Sequence, residues 1–210
     1  MMNKIFGILI AFVLLAFTSS DNSSVDEKIL QQIGDKLQSG EVFRAQLEHE
    51  FLDAFTNEIT KSYGDVFVGH NKYMVHTSNQ YILVDGEFSW VYNRDQNQVI
   101  ISHYFPEDDD FAPSRFLSDY ESVFHISDVR HTNPGYVELV LRSDDPFEIL
   151  TLAEVTIRQN SIIPVRIYAE DQSGNQYHTF FNEGRFLASS EVVFEIEWPE
   201  DAEIIDLRED

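Results

Sequence analysis

The chain contains no cysteine. That excludes disulfides, thiol catalysis and cysteine-built metal sites, so stability has to come from a packed core. It also excludes the anchor that bacterial lipoproteins carry on a cysteine after their signal. Basic residues are scarce: 14 Lys and Arg face 37 Asp and Glu, a formal net charge of -23. Such a field repels nucleic acid and anionic membrane surfaces and excludes both as partners on electrostatic grounds. It would steer the chain toward basic partner surfaces, although an acidic coat suited to a salty habitat explains it equally well. Long apolar runs are missing except at the start, where residues 5–17 form one behind Lys4. A run of that length is too short to span a bilayer but suits a secretory signal peptide, with small polar residues (Thr18, Ser19, Ser20) after it. Residues 1–20 are therefore expected to be a cleaved signal, with a cut after Thr18 or Ser20, and 21–210 the exported domain. An uncleaved signal anchor is the alternative.

What is present points to a folded β-rich chain. Hydrophobic residues make up 43% and aromatics 13% of 210 residues, enough for one domain with a real core. Residues 25–38 place Ile29, Leu30, Ile33 and Leu37 at helical spacing, with Asp26 and Glu27 in the first turn and Gly40 past the end. Across 43–51, Phe43, Ala45, Leu47, His49 and Phe51 alternate with polar residues, which predicts a half-buried strand. From residue 61 onward the period is two. Strands are expected at 62–69, 72–77, 80–85, 87–93, 97–104, 122–129, 136–142, 151–158, 163–170, 175–182 and 191–197. Gly, Asn and Asp mark the turns between them, Asp85-Gly86 most clearly. Pro113 opens a short helix carrying Phe116, Leu117 and Tyr120. The pattern is mainly β (α+β), with short helices. Periodicity alone slightly favours a sandwich of two sheets over a single curved sheet around a cavity.

Catalytic sets are near misses. The stretch His49-Glu50-Phe51-Leu52-Asp53 begins like a zinc-protease helix, but Asp53 stands where the second histidine belongs, and the segment reads as a strand. His49 is better explained as a buried or rim histidine satisfied by one hydrogen bond. The acidic run 107–110 lacks the spacing and glycine of a calcium loop. There is no G-x-S-x-G, no glycine-rich phosphate loop and no histidine pair at ligand spacing. The expectation is a protein that is not an enzyme and holds neither metal nor cofactor.

Several segments, in order, resemble the family of LolA, the periplasmic carrier of outer-membrane lipoproteins. "FRAQLEH" (43–49) is similar to the family's Phe-x-Ala strand and "GDVFV" (64–68) to its next one. In the hairpin, Leu83, Asp85-Gly86, Trp90, Tyr92-Asn93 and Gln98-Val99 match the family's turn and aromatic pattern. "APSRFL" (112–117) resembles its short Pro-Phe helix, and Phe194, Pro199, Asp206 and Arg208 match its closing segment. The matches are densest at 81–101 and 191–208. Where well-studied members carry an Arg-Pro pair whose arginine latches a helical lid, this chain has His70 and Asn71. The latch is thus either replaced, with His70 the candidate, or absent.

The resemblance implies a single open, incomplete antiparallel β-barrel of about eleven strands, with the helices as a lid. Its cavity would hold acyl chains against Phe43, Leu47, Phe51, Phe67, Tyr73, Val75, Leu83, Phe88, Trp90, Tyr92, Val99 and Ile101, continued by Leu139, Leu141, Val155, Ile157 and Ile167. Phe116, Leu117 and His70 would belong to the lid. It also implies a monomer in the periplasm, lipidated lipoproteins as cargo, an inner-membrane LolCDE-type ABC transporter that loads them and an outer-membrane acceptor. Two alternatives stay open: a LolA-like lipid-binding or sensing module without lipoprotein transfer, and a filled-core β-sandwich with an adhesive or structural role.

Overall fold

A computed structural model describes residues 23–208; the expected signal segment and its expected cleavage point lie outside them. The first described element is α1 (Ser23–Gln38). Ile29, Leu30, Ile33 and Leu37 form one stripe and are all buried, worth roughly 2 kcal/mol each by area. Ser39 caps the end by donating its hydroxyl to the Lys36 carbonyl (2.7 Å), and Gly40 turns the chain at φ +94°, a conformation open to glycine.

Twelve strands follow: β1 (Glu41–Leu52), β2 (Ile59–Val68), β3 (Tyr73–Thr77), β4 (Gln80–Val84), β5 (Phe88–Asn93), β6 (Gln98–His103), β7 (His125–Asn133), β8 (Tyr136–Arg142), β9 (Leu150–Arg158), β10 (Ile163–Asp171), β11 (Gln176–Ala188) and β12 (Glu203–Asp206). They form one sheet in the order β12-β6-β5-β4-β3-β2-β1-β11-β10-β9-β8-β7, so it does not close and β12 and β7 are its edges. All pairs are antiparallel except β12 with β6. The expected open, incomplete barrel is what forms, in place of a two-sheet sandwich. Between β6 and β7 the chain makes a short helix, α2 (Ser114–Leu117), flanked by single 3-10 turns at Pro106–Asp108 and Tyr120–Ser122.

One expectation about strands needs correction. The 191–197 segment is not a strand, although its alternation is real: residues 192, 194, 196 and 198 face the sheet while their neighbours face solvent. It lies across the face of the sheet without joining a ladder. The last strand is instead 203–206, which pairs with β6.

The sheet has two apolar faces with different covers. On the concave face α1 and α2 pack against Phe43, Val68, Leu139, Leu141, Val155, Ile157 and their neighbours in the main core. On the convex face Tyr92, Val99 and Ile101 form a second cluster with Trp90, closed by Ile196, Trp198 and Ala202 of the C-terminal segment.

Candidate binding cavity

Register decides which residues meet inside the barrel. On β1 the odd-numbered residues are concave, and Phe43 and Ala45 are buried while Leu47, His49 and Phe51 are only half-buried. The concave space therefore opens toward the end of β1. Pairing carries this face to Val66 on β2, Val75 on β3 and Ile82 on β4. In the other direction it runs to Phe181, Thr179 and Tyr177 on β11, then to Ile167 and Ala169 on β10.

These side chains enclose a cavity of about 330 Å³. Its wall is apolar where Leu47, Val66, Val75, Ile82, Ile167 and Phe181 meet. Phe111, Pro113 and Phe116 close it from the segment between β6 and β7. Phe111 packs on Tyr177 with ring centroids 4.8 Å apart, and Phe51 meets the same ring at 5.2 Å. Toward the open end the lining becomes polar, with His49, Ser62, Thr77, Gln80 and Thr179. His49 Nδ1 lies 3.0 Å from the Thr179 hydroxyl. Burial, reinforced by the nearby His178, holds the His49 pKa below the ordinary histidine value, so the neutral ring is favoured.

The covering segment is tied down by polar contacts. Tyr73 donates its hydroxyl to Asp109 at 2.6 Å. Burial first, and then the Asp109 charge, push the Tyr73 phenol far above its usual pKa, and Tyr104 is raised by the same causes. Arg115 of α2, itself buried, donates to the Glu148 carboxylate (2.7 Å) and lies 3.4 Å from Asp110. An arginine thus does hold the cover, but it belongs to the cover and grips the β8–β9 loop. Three turns surround the mouth and are joined to one another: the Ala54 N–H donates to the Asn175 side chain, and the Gln172 amide donates to the Pro146 and Glu148 carbonyls. Phe55 and Phe147 on these turns are 93% and 90% exposed.

The residues expected at the site separate into three groups. Leu47, Tyr73, Val75, Ile167 and Phe116 line the cavity, and Phe51 stands at its mouth. Phe43, Leu117, Leu139, Leu141, Val155 and Ile157 are on the same side but fully buried in the core beneath the helices. Phe67, Leu83, Phe88, Trp90, Tyr92, Val99 and Ile101 are on the opposite face, away from the cavity. The register is unambiguous: Val75 pairs with Ile82 and Ile82 with Val91, so Leu83 and its partner Trp90 point outward, as do Tyr92 and Val99. The aromatic stripe of the β4–β5 hairpin is covered by the chain's own tail. His70 sits beside the cover in a smaller space shared with Tyr104, Ser114 and Asp119, and its buried Nδ1 makes no hydrogen bond. The contacts that hold the cover come from Tyr73 and Arg115.

Val66, Ile82, Phe111, Phe181, Asp109 and the polar mouth were not anticipated as lining. For Val66 and Ile82 the available signal was pairing with neighbours already placed; for Asp109 and Phe111, in a loop, no periodic signal existed.

The geometry is thus an open sheet curved round helices, with a cavity left between sheet and cover. No family model matches the chain and no curated protein matches it. Among solved structures it is similar to an uncharacterised conserved protein from Thermus thermophilus, with a TM-score of 0.55 at 15% identity over 87% of this chain and 99% of that one. A LolA superfamily protein from Nitrosomonas europaea also matches, with a TM-score of 0.42 at 15% identity over 81% of this chain and 97% of that one. At 15% identity the likeness to the Thermus thermophilus protein is one of fold alone.

Proposed function

We propose that this protein is a non-catalytic periplasmic carrier that shelters the acyl chains of lipoproteins and moves them from the inner to the outer membrane. The observation that supports this reading is the unfilled concave face: an apolar wall of half-buried side chains lies open at one end, beneath a cover held by a few polar contacts. Each buried CH₂ is worth about 0.8 kcal/mol, so a lipidated protein cannot cross water unescorted. A site must match that burial yet release its cargo. At about 330 Å³ the cavity is at the small end of ligand sites, so a multi-chain lipid needs the cover displaced, and the Tyr73–Asp109 and Arg115–Glu148 contacts are what displacement would break. The turns around the mouth, with Phe55 and Phe147, are the surface that an inner-membrane LolCDE-type transporter and an outer-membrane acceptor would meet. The test is to add the chain 21–210 to spheroplasts of its host and look for lipoproteins in the soluble fraction, with an unlipidated Cys→Ser cargo as control. Release of the lipidated form alone, as a one-to-one complex, is expected. Absence of release with retained uptake of a single-chain lipid would refute lipoprotein transfer and leave a lipid-binding module.

A further inference from the structure

We propose that the cavity selects amphiphiles whose head is polar but uncharged, and discriminates against chains that end in a carboxylate; this rests on the acyl-chain reading above. The polar lining is gathered at the mouth. His49 stands opposite Ser62 on β2 and Thr179 on β11, and the β3–β4 hairpin adds Thr77 and Gln80. Two of these hydroxyls are occupied: Thr179 by His49 Nδ1 at 3.0 Å, and Thr77 by the Gln80 backbone at 3.1 Å. His49 Nε2, the Ser62 hydroxyl and the Gln80 carboxamide have no hydrogen-bond partner among the described residues, and none is sealed from the cavity. Hydroxyl and carboxamide both donate and accept, and a neutral imidazole nitrogen does one or the other. An ester, a hydroxyl or an amide on the ligand would be matched by all three.

A carboxylate could accept from the same donors but would find no counter-charge. Among the described residues no lysine or arginine lines the cavity. Asp109, the one carboxylate among the described lining residues, already accepts the Tyr73 hydroxyl and adds charge of the wrong sign. The whole chain carries -23. An ionised head brought in beside these groups loses its water and gains no counter-charge, the least favourable way to bury an ion. Burial also disfavours the protonated form of His49 that could have served as that counter-charge. The apolar wall receives the chain, so recognition of the head and burial of the tail occupy opposite ends of one cavity.

Titration calorimetry with monolauroylglycerol and with laurate, below their aggregation limits and at about pH 8 where carboxylates are ionised, separates the possibilities. The glyceride is expected to bind about tenfold tighter or more, since one missing counter-charge is worth at least that factor. H49L and, independently, Q80L should lose most of that advantage; two variants guard against misfolding of either. Laurate binding as tightly as the glyceride, or a ratio untouched in both variants, would overturn the head-group selection alone. Failure of either ligand to bind the wild-type chain would overturn the acyl-chain reading as well.

Discussion

The sheet carries two apolar surfaces, and they have met different fates. On the convex side of β4–β6, Trp90, Tyr92, Val99 and Ile101 are sealed by Ile196, Trp198 and Ala202, and Val99 is 0% exposed. On the concave side of β1–β4, Leu47, Val75 and Ile82 are only half-buried and face a cavity. Hydrophobic alternation is the same on both. The difference is supply: the C-terminal segment is long enough to cover one surface, whereas α1 and α2 cover only the deeper half of the other. Apolar residues covered by their own chain serve stability; those left without cover are available to a ligand.

The largest expected effect comes from breaking the covered side. Trp198→Ala should destabilise the fold by about 3 kcal/mol, the lower end for a buried tryptophan because it keeps some exposure, read as a shift in the urea midpoint. Acyl-chain affinity should stay as it was. If Trp198→Ala abolished binding while stability held, the assignment of the two faces would be reversed.

That assignment is where sequence reading stopped short. The strands as far as β11, the Asp85-Gly86 turn and α1 were legible because period and turn chemistry are local; the open single sheet was legible only through the family resemblance, since period alone slightly favoured a sandwich. Which face of β4–β6 looks inward was not. The run Tyr81-Ile82-Leu83-Val84 is apolar throughout, as strands covered on both faces are, so alternation leaves no polar side to orient it. Only the pairing of Val75 with Ile82 does so, and a slip of one residue exchanges every side chain between faces. Trp90 was placed inside on the strength of its motif, and pairing puts it outside. His49 was legible as a histidine with one hydrogen bond, and Thr179 supplies it; its place at the polar mouth depended on a strand 130 residues further along the chain.

An intermediate effect is expected at the mouth, which is held by polar groups where the deep core is held by apolar ones. Asp171 accepts the backbone N–H groups of Ser173 (2.8 Å) and Asn175 (2.9 Å), the Asn175 amide (2.8 Å) and the Tyr177 hydroxyl (3.1 Å). Burial alone would raise its pKa, but the Asn175, Tyr177 and Ser173 donors outweigh that and lower it. A carboxyl whose folded pKa is depressed adds stability above its unfolded value of about 3.9, and that contribution disappears as pH falls through the folded value. Asp171→Asn should therefore cost about 1–2 kcal/mol near neutrality, where an amide donor faces donors, and nothing once the wild type is protonated. Urea unfolding at a series of pH values would show the two proteins converging on acidification. Parallel curves would mean that the Asp171 charge is not what holds the turn.

The smallest expected effect on stability is the most informative about the open side. Leu47 is an aliphatic residue in the middle of the central strand β1, where a polar replacement ordinarily destabilises by several kcal/mol. Here its side chain is only half-buried: it packs at the edge of the main core and turns the rest of its surface to the space a ligand would fill. Leu47→Asp should cost less than about 1 kcal/mol, within the range of surface changes, while uptake of an acyl probe is lost, since a charge then stands in the apolar wall. Denaturation and probe binding on the same preparation decide it. A loss of several kcal/mol would mean that Leu47 is ordinary core and that the concave face is closed by the chain itself, as the convex face is.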